Sequence, residues 1–344
     1  CCCHTEFVFL LGGQTISYIF NCWGNCSFIE FIAFMKNLKC VIWSLRALIG
    51  RLRPSNKNMV ICVNEAGTLP SLIASHLKYR IVELTLIGEL NGTDLRYIRE
   101  MSGCDANGKE TGGCLSVLDL SGVNIVDGGN TYYGNYSASD NKIGDYTFYK
   151  CARLTRVIMP DNLLSIGEGA FGCCYNLSSV VIPDKVRDIG ELAFYRCESL
   201  GVVSIGCDVN TIGVYAFRSC ISLKEAIFVD GNKPLQVGDN LFYNCPLEKL
   251  YVGRDLKFEN FSFGKIKTLM TVVFGKEVTC IGDHLFMGCL RLKDIYIEAP
   301  IPPAVADGFN PSILSEVVLH VPGCSRVIYA ERFPWSDFVS IQTF

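Results

Sequence analysis

Hydrophobic positions recur at a fixed interval through the middle of the chain. From position 143 they follow the pattern I-G-x-x-A-F-x-x-C-x-x-L-x-x-V-x-I-P, and successive copies are evenly spaced. The first positions of four regular copies are occupied by Ile143, Ile166, Ile189 and Ile212. Glycine, phenylalanine, cysteine and leucine then follow in register in each copy. A catalytic site needs its residues only once, so a phrase repeated at one interval indicates a structural unit.

Three further copies are less regular. A fifth starts at Val237 and is one residue shorter after its cysteine, and a seventh is clear again from Ile281 to Ile297. The sixth, between them, keeps only these apolar positions: Phe258, Phe263, Leu269 and Val272. One unit cannot bury its apolar face alone, whereas stacked units can. The pattern therefore predicts a solenoid of stacked coils.

Each copy predicts a strand, a turn and a short helical piece. In the second copy, alternation directs Val180 and Ile182 inward and Val181 outward, and Pro183 ends the strand because it has no N–H to donate. We expect the glycine of the I-G pair to adopt a positive φ in the turn. The segment A-F-x-x-C-x-x-L has the spacing of a helix with one buried face. The predicted fold class is thus an α/β solenoid.

The segments that flank the regular copies predict caps. Residues 59–142 contain predicted helices at 69–77 and 93–101, the second with Thr93 as its N-cap. Predicted strands lie at 80–88 and 115–122, and a polar, glycine-rich loop at 127–141. Beyond the copies we predict a last strand at 316–322 and a closing segment at 326–338. The predicted divisions are an atypical leader or anchor at 1–58, an N-terminal cap with irregular repeats at 59–142, regular repeats at 143–298 and a C-terminal cap at 299–344.

Residues 1–58 do not follow the repeat and leave several interpretations open. Residues 7–29 carry no charge but contain Gln, Asn, Ser and Gly, so they are a marginal candidate for a membrane-spanning helix. The apolar stretch after Met35 resembles a poor signal peptide interrupted by Arg46. An untidy leader, a mistranslated upstream region and a membrane anchor all remain open.

Composition narrows the class of partner. The chain is 49% hydrophobic and 19% charged, which supports a sizeable core. Its net charge is −3 and it has no Lys/Arg-rich run, so we expect no nucleic-acid partner. The four histidines share no short spacing, and no nucleophile-elbow, zincin or Walker motif occurs. We therefore expect no enzyme activity, no metal and no cofactor.

Two patterns could be mistaken for chemistry. Gly167, Gly169 and Gly172 form G-x-G-x-x-G, but the sister copies lack these glycines, so we interpret them as part of the repeat and not as a phosphate loop. Thiolates at one place in successive coils form a column and cannot converge on a zinc ion. We predict that this cysteine column is buried core: Cys151, Cys174, Cys197, Cys220, Cys245 and Cys289.

Two other cysteine features stay open. Cys173, beside Cys174, is predicted to point away from the core. Cys104 and Cys114 flank a glycine-rich loop, and either a disulfide or two free thiols is compatible with their spacing.

The phrase "IGEGAFGCCYNLSSVVIP" resembles the 23-residue repeat of the BspA-like leucine-rich-repeat family of bacterial surface proteins. The segments "GELNGTDLRYIREM" and "VPGCSRVIYAERFPWSDF" are similar to caps in members of the family from Bacteroides-type bacteria. The resemblance covers residues 60–344. It implies a right-handed leucine-rich-repeat coil, an extracellular or cell-surface location, and, as in some members, adhesion to host matrix proteins or to other bacteria. It brings no catalytic residues. Residues 1–58 depart from the family, in which a clean secretion signal is expected.

The outward strand positions are the candidate binding surface. Many carry apolar or aromatic side chains where solvent is expected, which is typical of binding surfaces but also of ordinary strand propensity. The candidate ligand-binding residues are Arg156, Ile158, Lys249, Tyr251, Asp294 and Tyr296. The expected function is non-catalytic recognition or adhesion, with a protein of the host extracellular matrix or of another bacterial surface as partner, or a glycan. Membrane contact is expected only through an N-terminal anchor. Alternatives are a structural spacer for a missing domain and a glycan-binding accessory protein.

Overall fold

The computed structural model describes residues 5–11, 14–20, 58–258, 266–282, 286, 288–305, 309 and 311–344. The chain divides into two compact units, Cys1–Arg53 and Pro54–Phe344. Within the first unit, strands Thr5–Leu11 and Gln14–Phe20 pair antiparallel. These strands overlap residues 7–29, which we considered as a candidate spanning helix, and the rest of that segment lies outside the described residues. Among the described residues, no helix is long and apolar enough to cross a membrane.

The second unit is built on a parallel sheet of twelve strands, which we call the main sheet. Its neighbouring strands pair in chain order, because each coil returns the chain to the same edge of the sheet. The strands are Asn58–Val63, Glu83–Leu90, Val117–Ile125, Arg156–Ile158, Ser179–Val181, Val202–Ile205, Glu225–Phe228, Lys249–Val252, Thr271–Phe274, Asp294–Ile297, Val318–Val321 and Ser340–Thr343.

A second parallel sheet of six short strands runs along the coils at the I-G position. Its strands are Lys142–Ile143, Ser165–Ile166, Asp188–Ile189, Thr211–Ile212, Leu235–Val237 and Leu256–Phe258. Val237 pairs with Phe258 across this sheet, which places the irregular sixth copy in register with the fifth. Cys280–Ile281 pairs instead with Ala304–Val305 as a separate two-stranded sheet. Phe263, another position of the sixth copy, lies outside the described residues.

The segment predicted to be helical in each repeat is a series of turns. In the third coil the backbone alternates, with Leu192 at φ +54° and Arg196 at φ +55°. Alternate N–H groups donate to the next coil, as from Phe194 N to Ala216 O at 2.8 Å and from Arg196 N to Arg218 O at 2.9 Å, while those between them make single turns, as from Tyr195 N to Leu192 O at 2.9 Å. The helical prediction for this segment is wrong because hydrogen bonds between coils replace the i to i−4 bonds that hold a helix.

The glycine of the I-G pair also has a different role from the one predicted. Its φ is not positive in Gly144, Gly167, Gly190, Gly213 or Gly238. A Cβ added at Gly213 would lie 2.4 Å from the backbone nitrogen of Glu191 in the preceding coil. Glycine is needed there because two backbones approach closely.

Aromatic and thiol columns fill the space between the sheets. Phe171, Phe194 and Phe217 stack nearly parallel at centroid separations of 5.3 Å and 5.1 Å. The predicted cysteine column is confirmed as core, since all six of its thiols are buried. Four of these thiols also donate to the phenylalanine carbonyl of the preceding coil, as from Cys197 Sγ to Phe171 O at 3.3 Å; the four are Cys174, Cys197, Cys220 and Cys245. The column therefore supplies donors as well as bulk.

We expect Cys197→Ala to lower the free energy of unfolding by about 1 kcal/mol, through a small cavity and a lost thiol donor, without releasing metal. Thermal melts and metal analysis measure this. Burial raises the pKa of Cys151 to about 12 and that of Cys289 to about 11, so these thiols stay protonated at pH 8. Rapid native-state labelling of Cys174, Cys197 or Cys220 by a bulky thiol reagent would contradict the assignment.

The N-terminal cap differs in detail from its prediction. The first predicted helix is only Leu69–Leu72, and the second is Gly92–Met101. Its N-cap is Asn91 and not Thr93, because the Asn91 side chain accepts from Thr93 N at 3.0 Å. The predicted loop contains a hairpin of Gly128–Tyr133 and Tyr136–Ala138.

The C-terminal cap closes the array with short elements. Helices Pro311–Glu316 and Arg326–Glu331 flank the strand Val318–Val321, and single turns of 3₁₀ helix lie at Gly323–Ser325 and Trp335–Asp337. Trp335 is fully buried, and its indole N–H donates to Pro303 O at 3.0 Å. A terminal cap of this kind covers apolar surface that a neighbouring coil would otherwise cover.

Candidate binding surface on the main sheet

The outward side chains of the main sheet form two columns, which together we call the strand face. Strand register places neighbouring members directly beside one another. The first column contains Arg156, Ser179, Val202, Glu225, Lys249, Thr271, Asp294 and Val318. The second contains Ile158, Val181, Ser204, Ile227, Tyr251, Val273, Tyr296 and His320.

The second column is apolar or aromatic at most positions and is open to solvent. Val181 is 72% exposed, and Ile227, Tyr251, Val273 and Tyr296 are half-buried by their neighbours. Inward neighbours such as Val203 and Leu250 are fully buried. The alternation predicted from sequence therefore holds, and it leaves apolar side chains on the solvent side of the sheet.

Tyr251 is fixed by two carboxylates. Its hydroxyl donates to Asp230 Oδ1 at 2.8 Å and lies 3.4 Å from Glu298 Oε2. Burial raises the pKa of Tyr251, and the hydrogen bond to Asp230 and the charge of Glu298 raise it further. The phenol thus remains a donor, and the ring is held in one orientation at the surface.

Tyr296 belongs to a second fixed group. Its ring stacks on the His320 imidazole of the next strand, with centroids 4.1 Å apart and planes 7° from parallel. His320 Nε2 lies 2.8 Å from Asp294 Oδ1, so the imidazole bridges the carboxylate and the aromatic ring. Two candidate residues, Asp294 and Tyr296, are therefore joined through a third that we did not predict.

The six candidate residues form two patches rather than one pocket. Arg156 and Ile158 lie four strand intervals from Lys249 and Tyr251, which is about 19 Å at ordinary sheet spacing. Lys249, Thr271 and Asp294 follow one another in the first column. The strand face is therefore an extended surface, with Arg156 and Ile158 towards one end and an aromatic end near Tyr251 and Tyr296.

Sequence reasoning missed the partners that orient the tyrosines: Asp230, Glu298 and His320. His320 could have been found from its place in "EVVLHVP", where it follows the inward Leu319 as Tyr296 follows the inward Ile295. Asp230 and Glu298 come after strand ends and reach Tyr251 from coils that lie 21 and 47 residues away in sequence. Nothing in the repeat pattern indicates those contacts.

The other candidate features have structural explanations. Gly169 and Gly172 make room for aromatic rings, since a Cβ at either would lie within 3 Å of Tyr146 or Tyr149. Cys104 and Cys114 are free thiols, the first buried and the second exposed. Over the part of the chain that the structure describes, no three His, Cys, Asp or Glu side chains are grouped so as to hold a metal ion.

The parallel strands stacked coil upon coil define a leucine-rich-repeat solenoid. The family model for the BspA type leucine rich repeat region matches residues 135–245 and 231–312, with six copies. Together the two matches span more than half of the sequence, and the chain belongs to this family.

Solved structures of other leucine-rich-repeat proteins resemble this chain at low identity. One from Bacteroides ovatus is 18% identical, with a TM-score of 0.44, and the match covers 77% of this chain and 63% of that one. One from T. pallidum is 23% identical, with a TM-score of 0.33, and the match covers 54% of this chain and 70% of that one. The pneumococcal vaccine antigen PcpA is 11% identical, with a TM-score of 0.37, and the match covers 77% of this chain and 68% of that one. No curated protein matches the sequence.

Proposed function

We propose that this protein is a non-catalytic recognition protein of the bacterial cell surface that binds a protein ligand across the strand face. The ligand is a host extracellular-matrix protein or a protein on another bacterial cell. The observation that carries the proposal is the continuous second column, in which apolar and aromatic side chains stand on the solvent side of a rigid sheet. Membership in the BspA-type family supports the surface location.

The tyrosines at the aromatic end have the properties of interface anchors. Tyr251 and Tyr296 are large, and contacts with Asp230 and His320 already limit their motion. A side chain that is fixed before binding loses little conformational entropy on binding. Tyrosine is also enriched among the few residues that dominate interface energies.

The polar members of the first column can supply selectivity around those anchors. Arg156, Lys249 and Asp294 place charges of both signs beside the apolar column. Charges at the rim of an interface act mainly on partner choice and association rate. The Asp230 carboxylate accepts from Tyr251, and that of Asp294 contacts the His320 imidazole that stacks on Tyr296, so both carboxylates help to order this surface for recognition.

The double variant Tyr251→Ser with Tyr296→Ser is expected to abolish most binding to immobilised matrix proteins or partner cells. Loss of one interface anchor costs about 2 kcal/mol or more, which corresponds to about 30-fold in Kd. The melting temperature should change little, because both side chains lie on the surface. Surface plasmon resonance and cell-adhesion assays measure binding, and circular dichroism measures the melt.

The matched control is Arg196→Ser with Arg218→Ser, which changes two side chains on the turn segments. If this pair weakens protein binding and the tyrosine pair does not, the strand face is the wrong surface. The next candidate is then the hairpin region at residues 127–141, of whose tyrosines Tyr136 is exposed, whereas Tyr133 packs against Arg99 and Tyr132 is buried. Absence of protein binding by the unchanged chain would favour the spacer role.

A further inference from the structure

A second aromatic row runs along the turn segments and is not used by the strand face. It consists of one partly exposed tyrosine from each of five successive coils, and we call it the tyrosine ridge: Tyr149, Tyr175, Tyr195, Tyr215 and Tyr243. Tyr243 is 54% exposed. The five tyrosines occupy three different positions of the repeat, and none of these is the position of the stacked core phenylalanines, so packing between the sheets does not require them.

Basic side chains hold the rings of the ridge in place. The Arg218 guanidinium lies over Tyr195, Tyr215 and Tyr243, at 5.9 Å, 4.9 Å and 5.3 Å from their centroids. Arg196 lies over Tyr175 at 5.2 Å. These cation–π contacts order the rings while leaving part of each at the surface.

The N-terminal end of the ridge is seated on a buried thiol. Cys173, predicted to point away from the core, lies outside the main hydrophobic cluster yet is only 4% exposed. Tyr149 and Tyr175 both contact it through their hydroxyl ends. Burial raises the pKa of Tyr149 most, followed by the Cys173 contact, whereas the hydrogen bond with Cys173 is the largest cause of the raised pKa of Tyr175. Both phenols therefore remain hydrogen-bond donors.

The pitch of the coils beneath the ridge suits a linear polymer of rings. The coils advance by 5.1–5.3 Å, as measured between the stacked phenylalanine rings beneath. That step is close to the length of one pyranose unit in an extended glycan. Each sugar presents a C–H-rich face that can stack on an aromatic ring, and hydroxyl groups at its edge.

A pocket of about 370 Å³ opens at the N-terminal end of the ridge. It exists because Ala152 occupies the repeat position that Tyr175 occupies in the next coil, so the smaller side chain leaves space in front of the Tyr175 ring. The loop of the N-terminal cap that carries Gly103 and Gly108 forms the opposite wall.

The polar groups of the pocket match a polyol. Its donors and acceptors come from Glu110, Lys150, Arg153 and Asn176. Asn176 Nδ2 already donates to Ala152 O at 2.7 Å, which leaves the amide oxygen as an acceptor. A small-molecule site typically combines an apolar wall with a few convergent polar groups.

Two of the four basic side chains that the ridge and pocket carry have a carboxylate partner, which weakens their attraction for a polyanion. Arg196 pairs with Glu198 at 3.0 Å, and Arg153 lies 3.9 Å from Glu110. We propose that the tyrosine ridge and its pocket bind a neutral linear glycan, with one sugar seated against Tyr175 and successive sugars along the ridge. This site is separate from the strand face and does not depend on the proposed protein ligand.

The experiment is affinity electrophoresis of the full chain in native gels that contain dextran, mannan, xylan or mixed-linkage β-glucan, with polygalacturonate as an anionic comparison. At least one neutral polysaccharide should retard the unchanged protein. Ala152→Tyr fills the pocket and should weaken that retardation about tenfold or more, as should Tyr175→Ala, which removes the platform. Circular dichroism melts identify any variant that fails to fold. If one of the two variants fails to fold, the other one tests the glycan site.

The strand-face pair Tyr251→Ser with Tyr296→Ser is the matched control and should bind the polysaccharide normally, whereas Ala152→Tyr should retain protein binding. This reciprocal design separates failure of the glycan site from failure of the proposed function. The glycan proposal is overturned if none of the neutral polysaccharides retards the protein, if only polygalacturonate does so, or if folded Ala152→Tyr and Tyr175→Ala both bind like the unchanged chain.

Discussion

Removal of residues 166–188, one complete coil, is expected to leave a folded protein of slightly lower stability. Ser165 pairs with Asp188, and Ile166 with Ile189, across the second sheet. After the deletion Ser165 is followed directly by Ile189, so the same residue type occupies the same place. Each coil contacts mainly its two neighbours, and stability is approximately a sum over coils and their interfaces.

The interior contacts should also re-form after that deletion. Phe171 now separates Phe148 from Phe194, with 5.3 Å between successive centroids. Without it, Phe148 meets Phe194 at the same register. Asp145 Oδ1 accepts from Glu168 N at 2.8 Å, and Glu191 would supply the equivalent N–H. Circular dichroism spectra should keep their shape, and the melt should move down by a small step.

The comparison is a shorter deletion, of positions 166–177, which ends within the coil. It removes the turn segment, with Phe171 and Cys174, but leaves the strand Ser179–Val181 attached to the wrong connection. The strand would then pair with its neighbours in the main sheet out of register, and a register error exposes apolar side chains that belong inside. We expect loss of a cooperative melt. Equal damage from the two deletions would argue against a solenoid.

The parts of the fold that depend on period alone could be predicted. The constant interval between copies placed Ile166 beside Ile189, and strand alternation placed Val180 inside and Val181 outside, as the structure shows. The cysteine column was predictable for the same reason, because side chains at one register position must share one environment. The repeat interval and the strand alternation can be read from the sequence alone, and they suffice to predict strand pairing and burial where every coil repeats the same contact.

The turn segments could not be predicted in this way. Leu192, Arg196 and Tyr215 adopt positive φ although they are not glycine, and their conformation is stabilised by the hydrogen bonds that their N–H groups donate to carbonyls of the next coil. The apolar spacing alone resembles one face of a helix, and tertiary contacts override that preference. The partners of the binding-surface tyrosines were missed for a related reason, since Asp230 and Glu298 approach Tyr251 only after the coils have stacked.

Gly213→Ala is expected to destabilise the protein by about 1–3 kcal/mol, the usual cost of overpacking, or by more. The new Cβ would lie 2.4 Å from Glu191 N and 2.6 Å from the carbonyl carbon of Gly190. Both contacts are with backbone, which cannot rotate away as a side chain can. The coils would have to separate, which would strain the hydrogen bond that Gly213 N donates to Ile189 O at 2.8 Å.

Gly201→Ala is the matched control for that clash. A Cβ at Gly201 would meet nothing within 4 Å, and its φ is not in the left-handed region. The substitution restricts the unfolded chain and should be neutral or stabilising by about 0.4–1 kcal/mol. Urea and thermal unfolding of the two variants therefore give opposite signs if close approach of the coils is the reason for the glycine. A Gly213→Ala protein as stable as the Gly201→Ala protein would show that the coils can separate at little cost and that the I-G glycine serves some other need.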